Sequence, residues 1–303
     1  MSKNLLNELE QIVKEENLLV NEPMNQHTTF RIGGPADYLV MPTTIEQIAA
    51  VIRLCRQQDV PYFVMGNGSN LLVSDAGFRG VIIQIYDRYR HIVWNKTRAV
   101  VEAGCLLSKF GNEAAVRGLT GFEFATGIPG TMGGAVAMNA GAYGGEMKDC
   151  LVGVTMMDMD GFTRLYTADE LDLGYRTSAA AKQNLIVLRA HIQLKEGNPD
   201  EIKKRLTELR EARKEKQPLE YPSAGSTFKR PEGYYAGKLI EDAGFKGYKY
   251  GGAMISNKHS GFLINYNHAT AEDVLNLVQI VQKGVFEQFG VELELEVKKL
   301  GDF

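Results

Sequence analysis

Small residues dominate the stretch from Gly121 to Gly145, and their spacing points to ligand chemistry. No long charged side chain lies between Glu123 and Glu146, and we expect the stretch to contribute little to a hydrophobic core. Each glycine destabilises a regular element by about 0.5–1 kcal/mol relative to alanine, so this many glycines require another reason. The N–H groups of glycine-rich turns form concave anion sites. We therefore predict that the stretch binds the pyrophosphate of a dinucleotide.

A second glycine loop, Gly66–Asn70, follows the apolar run Val60–Met65. The usual dinucleotide fingerprint needs a strand, G-x-G-x-x-G, a helix and an acidic residue about 20 residues later. Residues Gly127–Gly134 instead carry a proline in the turn, and two separate phosphate-type loops do not fit one such turn. The alternative interpretation is that both are glycine-rich surface loops that bind no ligand. This interpretation gives no reason for two such loops in one chain.

Bulk composition narrows the class of protein. A net charge of −3 gives no strong attraction to nucleic acid or anionic membranes. No apolar run approaches the roughly 18–20 residues that span a bilayer, and the charged N-terminal segment does not resemble a signal peptide. The three cysteines, Cys55, Cys105 and Cys150, lack C-x-x-C spacing. These features predict a cytoplasmic protein without nucleic-acid partners, membrane insertion or a cysteine-based metal site. We also expect no other metal site and a monomer, although composition gives no evidence of the oligomeric state.

Hydrophobic periodicity predicts the elements that position these loops. Residues 3–17 read as a helix, and Thr43 with Glu46 reads as a capping box that opens a helix to about Gln58. Arg31, before two glycines, is either a solvated charge in a turn or an anion contact. Strands and helices alternate up to the glycine stretch, and Asp160-Gly161 marks a hairpin beyond it. This mixture predicts an antiparallel sheet with flanking helices.

The composition changes at Glu196–Asp200, where we place a domain boundary. Asn198 and Pro199 predict the start of a charged helix that runs to about Lys216. Thr270 and Asp273 form a second predicted capping box, for a helix to about Phe289. Alternating residues over Val291–Val297 predict a last strand with Glu292, Glu294 and Glu296 on its polar, solvent-facing side.

Taken in order, several motifs of the chain resemble one family of flavoenzymes. They are Thr29–Gly34, Gly66–Asn70, Gly127–Gly130, Met138–Gly144 and Gly225–Pro231. Each motif is weak alone, but the ordered set is specific, and it resembles the UDP-N-acetylenolpyruvoylglucosamine reductases from about residue 20 to the C-terminus. These enzymes make UDP-N-acetylmuramate for bacterial peptidoglycan, and hence serve cell-wall biogenesis, cell shape and cell division. The chain looks like the shorter subtype, which lacks an inserted tyrosine loop.

The resemblance implies an α+β fold with two domains. Residues 1–197 would form an FAD-binding domain of the vanillyl-alcohol-oxidase type, with subdomains at about 20–75 and 76–197. Residues 198–303 would form the C-terminal substrate-binding domain. Composition and periodicity alone do not predict this fold.

The resemblance also implies the catalytic residues. NADPH would reduce FAD, hydride would pass to the enolpyruvyl methylene carbon, and Ser226 would give a proton to the adjacent carbon. Arg176 would stabilise the substrate carboxylate, because a guanidinium pairs with it in bidentate fashion. Glu296 would polarise the developing enol. Read without the family, Ser226 is a turn hydroxyl, Arg176 a solvated charge and Glu296 a solvent-exposed carboxylate, and Glu294 is the alternative to Glu296.

Binding residues follow from the same motifs. Contacts to FAD are predicted from the two glycine loops and the segment behind them: Gly66, Asn67, Gly68, Ser69, Asn70, Gly127, Ile128, Pro129, Gly130, Gly133, Gly134, Asn139 and Gly141. Contacts to the substrate, or to NADPH phosphate in the case of Lys216, are predicted from Tyr175, Lys216, Lys229, Arg230 and Lys238. Lys258 and His259 match a segment of the family, but the match assigns them no role. We do not expect His259 to bind a metal, because no second ligand lies at helical spacing from it.

Two other functions remain compatible with the sequence. An FAD oxidase of the same superfamily would use oxygen in place of NADPH. A non-catalytic nucleotide-binding regulator would keep the loops but would need none of Ser226, Arg176 and Glu296.

Overall fold

The computed structural model of the chain describes residues 3–303, which form two compact units. Unit 1 comprises the described residues up to Leu19, with Tyr38–Asn67 and Gly80–Ala212. Unit 2 comprises Val20–Asp37, Gly68–Arg79 and Arg213–Phe303. Both units are therefore built from separated stretches of chain. The predicted boundary at residue 197 separates an FAD-binding from a substrate-binding part of the chain, and this division of ligand binding stays a prediction.

The helices and strands have the following bounds. The helices are α1 Lys3–Val13, α2 Ile45–Gln57, α3 Leu107–Val116, α4 Met132–Ala137, α5 Ala179–Lys182, α6 Pro199–Lys216, α7 Ala236–Asp242 and α8 Ala271–Phe289. The strands are β1 Leu18–Pro23, β2 Pro35–Val40, β3 Tyr62–Met65, β4 Leu71–Val73, β5 Phe78–Gln84, β6 Ile92–Asn95, β7 Arg98–Glu102, β8 Leu119–Thr120, β9 Gly141–Ala142, β10 Gly145–Glu146, β11 Leu151–Met157, β12 Thr163–Thr167, β13 Ile186–Gln193, β14 Lys195–Glu196, β15 Ser223–Ser226, β16 Lys249–Tyr250, β17 Ala253–Ile255, β18 Phe262–Asn265 and β19 Lys298–Leu300.

Unit 1 is organised around an antiparallel sheet of order β12-β11-β13-β7-β6. The hairpin predicted at Asp160-Gly161 joins β11 to β12, and Gly161 has the positive φ of 90° that such a turn requires. Within the same unit, β3 pairs in parallel with β5, from Tyr62 beside Val81 to Met65 beside Gln84. The mixture of antiparallel sheet and flanking helices agrees with the α+β class predicted from the sequence.

The glycine-rich stretch contributes more to the core of unit 1 than we expected. Met132 and Val136 of α4 are fully buried, and Ala125 and Ala135 are buried with them. A Cβ atom at Gly133 would lie 2.9 Å from the Cβ of Ala103, closer than real Cβ atoms come. The small residues thus allow α4 to pack closely beside β7, and the expectation of little core was wrong.

Unit 2 packs α7 and α8 with an antiparallel sheet of order β15-β18-β17-β16. The predicted capping box is present, with Thr270 and Asp273 exchanging hydrogen bonds at the start of α8. Asp75 adds its two carboxylate oxygens to the first N–H groups of the same helix, Ala271 at 2.9 Å and Glu272 at 3.1 Å. Such caps stabilise a helix N-terminus because they satisfy N–H groups that have no partner within the helix.

Two predictions about element ends were wrong. The side chain that caps α2 belongs to Thr44, which accepts from the Gln47 N–H, and not to Thr43. No continuous strand covers Val291–Val297: the segment makes an isolated bridge from Leu295 to Phe228, and the strand β19 begins at Lys298, parallel to β4. Alternation buries Leu293 and Val297 as expected, but a ladder needs a partner strand along its whole length.

The three cysteines give a first testable prediction. Cys55, Cys105 and Cys150 are free and buried, and burial raises the pKa of Cys55 and Cys150 to about 12 and that of Cys105 to about 11. Because the thiolate is the reactive form, we expect no reaction of the native protein with a dithiobis(nitrobenzoate) reagent at mildly alkaline pH, followed by titration of all three thiols in denaturant. Rapid thiol release from the folded protein would contradict this burial.

No helix among residues 3–303 is long and apolar enough to cross a membrane.

Candidate functional site

The two glycine loops meet within unit 1. The Asn67 Nδ2 donates to the backbone oxygen of Pro129 at 2.9 Å. A Cβ atom at Gly66 would lie 2.3 Å from the Oγ1 of Thr131, so a residue with a side chain does not fit there without displacing Thr131. The structure therefore brings together the two segments from which the sequence predicts cofactor contacts.

The first turn of α4 is less available to an anion than the glycine pattern indicated. The N–H of Met132 donates to Cys105 O and that of Gly133 to Ala103 O, both at 2.8 Å. The Gly134 N–H donates to the Oγ1 of the N-cap residue Thr131. The side-chain-free face of Gly133 packs against Ala103, whereas that of Gly134 meets only the Oγ1 of Thr131 at 3.6 Å. The predicted contacts of Gly133 and Gly134 with a cofactor stay predictions.

Backbone donors are available in the other glycine loop. Gly68 has a φ of 60°, and its carbonyl accepts from the Thr29 N–H at 3.3 Å. Within the part of the chain that the structure describes, the N–H groups of Gly68 and Ser69 donate to no protein acceptor. Successive N–H groups with no protein acceptor, in a turn that begins with a positive φ, are suited to a phosphate group. These two residues are the strongest candidates for anion contacts.

Ser226 and Glu296 are brought close to each other within unit 2. The Glu296 N–H donates to the oxygen of Thr227, the residue after Ser226, at 2.9 Å. The pairing continues through the Phe228–Leu295 bridge and the Lys229 N–H, which donates to Glu294 O at 2.8 Å. Two of the three predicted catalytic residues therefore lie on paired segments that are far apart in the sequence, with Ser226 one residue before the residue that bonds to Glu296.

Burial distinguishes Glu296 from its neighbours. Its exposed fraction is 9 %, whereas Glu292 and Glu294 are exposed. The carbonyl of Glu296 accepts from the Asn70 Nδ2 at 3.1 Å, and the Lys298 N–H donates to Asn70 O at 2.9 Å. The solvent-exposed alternative for Glu296 was wrong, because the segment turns this side chain inward. A buried carboxyl is rare unless it is paired or functional.

A β-bulge orients Ser226. Ser223 pairs with Ile264 and Ser226 with Phe262, so β15 has one residue more than β18 in this interval. Gly225 takes up the extra residue with a φ of 78°, and a Cβ there would meet nothing within 4 Å. Glycine is thus needed for its backbone conformation, since the left-handed region costs other residues about 1–2 kcal/mol. Bulges are frequent beside active sites, where they redirect a side chain.

Arg176 lies at the tip of a tight turn in unit 1. Gly174 and Thr177 exchange two backbone hydrogen bonds, at 3.1 and 3.4 Å, and Tyr175 and Arg176 are the central residues. Arg176 has a φ of 55°, a region that costs a residue other than glycine about 1 kcal/mol or more. Such strain is common at functional sites, where the surrounding structure maintains it. Tyr175 is exposed, and the Arg176 Cζ lies 5.3 Å from its ring centroid.

The predicted substrate cations are held in different ways. Lys229 pairs with Glu294, and Lys238 pairs with Asp242 at 2.5 Å. The Arg230 guanidinium donates to Tyr234 O at 3.2 Å and lies 4.0 Å from the Tyr235 ring centroid. These pairs are exposed, so a phosphate would have to compete with them. Lys216 is the exposed last residue of α6.

The other residues that the sequence analysis named make contacts within the protein. Burial lowers the pKa of His259, and its Nδ1 accepts from the Gly261 N–H at 3.0 Å. Lys258 lies 3.6 Å from Glu220. Arg31 is exposed, and its backbone oxygen accepts from Asn265. Among residues 3–303, His, Cys, Asp and Glu form no group of three or more that could hold a metal ion.

Sequence reasoning missed two residues near the predicted site. Ser178 caps α5 and also donates from Oγ to Ala137 O at 2.8 Å. Glu146 opens a capping box with Asp149 and accepts from Asn139. Serine is a preferred N-cap residue, so a search for helix caps could have found Ser178, whereas Glu146 does not fit the usual capping pattern. The long-range contacts had no local signal.

Comparisons with known proteins show which family the chain resembles. A family model described as an FAD binding domain matches residues 36–165. A second, described as "UDP-N-acetylenolpyruvoylglucosamine reductase, C-terminal domain", matches residues 217–300. A curated UDP-N-acetylenolpyruvoylglucosamine reductase from Caldanaerobacter subterraneus subsp. tengcongensis is 53% identical over 302 residues, which is 100% of both chains. One from Clostridioides difficile is 49% identical and covers 99% of this chain and 97% of its own.

Solved structures extend the comparison. The crystal structure of a reductase of the same name from Thermus caldophilus has a TM-score of 0.80 and 40% identity, with 94% of this chain and 98% of that chain covered. A glucose dehydrogenase, Phl p 4.0202, has a TM-score of 0.53 at 14% identity and covers 65% of this chain and 45% of its own. The second likeness concerns the fold alone. The predicted fold, an FAD-binding domain with a separate C-terminal domain, is confirmed.

Proposed function

Because the chain belongs to the UDP-N-acetylenolpyruvoylglucosamine reductase family, we propose that it reduces UDP-N-acetylglucosamine enolpyruvate to UDP-N-acetylmuramate with NADPH. It is an FAD-binding oxidoreductase. The proposal places it in the cytoplasm, as a monomer of the shorter subtype. The observation that supports it most is the pairing of Thr227, the neighbour of Ser226, with a buried Glu296 in unit 2. A protein that only bound a nucleotide would need neither Ser226 nor Glu296.

The glycine loops fit the FAD pyrophosphate. Gly66 leaves no room for a Cβ beside Thr131, and Gly68 and Ser69 offer N–H groups without a protein acceptor among residues 3–303. We assign FAD binding to Gly66–Asn70, to Gly127–Gly130 and to the segments that carry Gly133, Gly134 and Gly141. Bound FAD would supply the redox chemistry, which is hydride transfer from NADPH to the methylene carbon of the enolpyruvyl group.

The protein's own residues control the charge and the proton. Addition of a hydride to the methylene carbon leaves negative charge on the adjacent carbon and its carboxylate. Arg176 binds this carboxylate in bidentate fashion, and its charge is permanent. Ser226 gives its hydroxyl proton to the adjacent carbon. Glu296 polarises the developing enol, and its burial strengthens any electrostatic interaction that it makes there.

The experiment that tests the function is the visible spectrum of the purified protein under anaerobic conditions. We expect a yellow protein that is bleached by NADPH and restored by UDP-N-acetylglucosamine enolpyruvate. Recovery of the colour by air alone, with no effect of this substrate, would favour an oxidase. A colourless protein that takes up no FAD would contradict the reading of the glycine loops.

A further inference from the structure

Asn139 lies at the junction of α4 and the Arg176 turn, entirely within unit 1. It is 2 % exposed and has a φ of 41°, in the left-handed region that asparagine tolerates better than most residues. Its Nδ2 donates to the Oε2 of Glu146 at 2.8 Å and to Gly174 O at 3.1 Å. Its Oδ1 accepts from the Lys148 N–H at 3.0 Å. Both amide hydrogens are therefore used inside the protein.

The bond to Gly174 holds one side of the Arg176 turn. Gly174 O is also the acceptor for the Thr177 N–H, the bond that closes this turn. On the other side, Ser178 donates to Ala137 O at 2.8 Å, near the end of α4. Two bonds to the segment 137–139 thus flank the turn. They supply the support that the positive φ of Arg176 requires.

Glu146 connects the same network to the charge of Arg176. Its pKa is below the ordinary value, mainly because of the hydrogen bond from Lys148, with smaller contributions from Asn139 and from the positive charge of Arg176. The carboxylate is therefore ionised when Asn139 donates to it. The order of the contacts is Glu146, Asn139, Gly174 and then Arg176.

We propose that Asn139 is a positioning residue, whose carboxamide ties Gly174 to Glu146 and fixes the turn that presents Arg176 to the substrate carboxylate. The role of Arg176 in this statement rests on the proposed function, whereas the fixing of the turn does not. In this proposal the Asn139 side chain positions the Arg176 turn, in place of the FAD contact that the family resemblance implied for Asn139.

Asn139→Asp is the most direct test, because it keeps the shape and the tolerance for positive φ. It replaces the shared Nδ2 donor with an oxygen that faces the Glu146 carboxylate and Gly174 O, so two attractions become repulsions. Asn184→Asp is the matched control, since Asn184 has a φ of 53°, is exposed, lies in the same unit and gains the same charge.

The readouts separate positioning from cofactor binding. In the FAD-loaded protein, we expect faster hydrogen–deuterium exchange at the Thr177 amide in Asn139→Asp but not in Asn184→Asp. We expect FAD affinity and flavin reduction by NADPH to be unchanged, and reoxidation by substrate to slow by up to about 10²-fold, the effect of a small misplacement. The double variant with Arg176→Lys should lose little more than Arg176→Lys alone, because both act on one interaction.

Several outcomes would overturn the proposal. Weaker FAD binding with unchanged exchange at Thr177 would make Asn139 a flavin ligand. Equal effects of Asn184→Asp would indicate a general effect of charge. If Asn139→Asp does not fold, Asn139→Gly removes the same bonds at a positive φ, and unchanged exchange there would exclude the tie. If the wild-type protein lacks reductase activity, the proposed function fails, but the exchange experiment still tests the tie.

Discussion

Replacement of Ser226 by alanine should slow the oxidation of the reduced flavin by the enolpyruvyl substrate by roughly 10²–10⁴-fold, the usual effect of losing a general acid. Reduction of the flavin by NADPH should remain nearly unchanged, because no proton from Ser226 is needed in that half of the reaction. The two rates are measured separately by anaerobic stopped-flow absorbance. This contrast would identify the step in which Ser226 acts.

Ser223→Ala is the matched control for this experiment. Ser223 lies on the same strand, β15, and is also half-buried. Its backbone oxygen accepts from the Oγ1 of Thr29 at 2.7 Å, and no role in the reaction is proposed for its hydroxyl group. We therefore expect both half-reactions of Ser223→Ala to match the wild type. Loss of the NADPH half-reaction in Ser226→Ala, with normal reoxidation, would show that Ser226 has another role.

Replacement of Arg176 by lysine should lower kcat/KM by about 10²–10³-fold, the scale seen when one donor to a developing anion is removed. The charge is kept, but a lysine ammonium is a point charge that does not reproduce the two parallel N–H bonds of a guanidinium. The positive φ at this position is equally unfavourable for both residues, so the backbone strain is matched. Steady-state kinetics, with FAD content checked by absorbance, give the measurement.

Arg164→Lys serves as the comparison for Arg176→Lys. Arg164 pairs with Glu170 at 2.8 Å on the exposed strand β12 of the same unit, and an exposed pair of this kind contributes about 0–1 kcal/mol. Its replacement should leave kcat/KM unchanged. Turnover of Arg176→Lys near that of the wild type would count against a bidentate contact with the substrate carboxylate.

Local signals allowed accurate prediction of several elements. The helix α6 begins at Pro199 and ends at Lys216, as predicted. Its start was predictable because it depends on the adjacent Asn198, whose side chain accepts from the Asp200 N–H at 2.9 Å. The capping box of α8 and the end of this helix at Phe289 were also predicted correctly. These features depend on residues within one or two turns, and the chain order supplies those contacts directly.

The ordered motifs led to the family, to FAD and to the candidate residues Ser226, Arg176 and Glu296. The sequence also places glycine at positions 225 and 66, but the structural reason for a glycine differs between the two positions. Gly225 needs a positive φ with free space around it, whereas Gly66 lies against Thr131. Only the folded structure distinguishes these two reasons.

The tertiary structure alone decided the surroundings of the candidate site. Glu296 reads as the third exposed glutamate of a strand, yet it is buried, because its segment pairs with Thr227 and is held by Asn70, 226 residues earlier in the chain. Asn139 reads as part of a cofactor loop, yet its side chain holds a carbonyl 35 residues away. Sequence determines which chemical groups are present and which local bonds they form. Burial and long-range hydrogen bonds depend on which distant segments meet, and this follows only when the whole chain has packed.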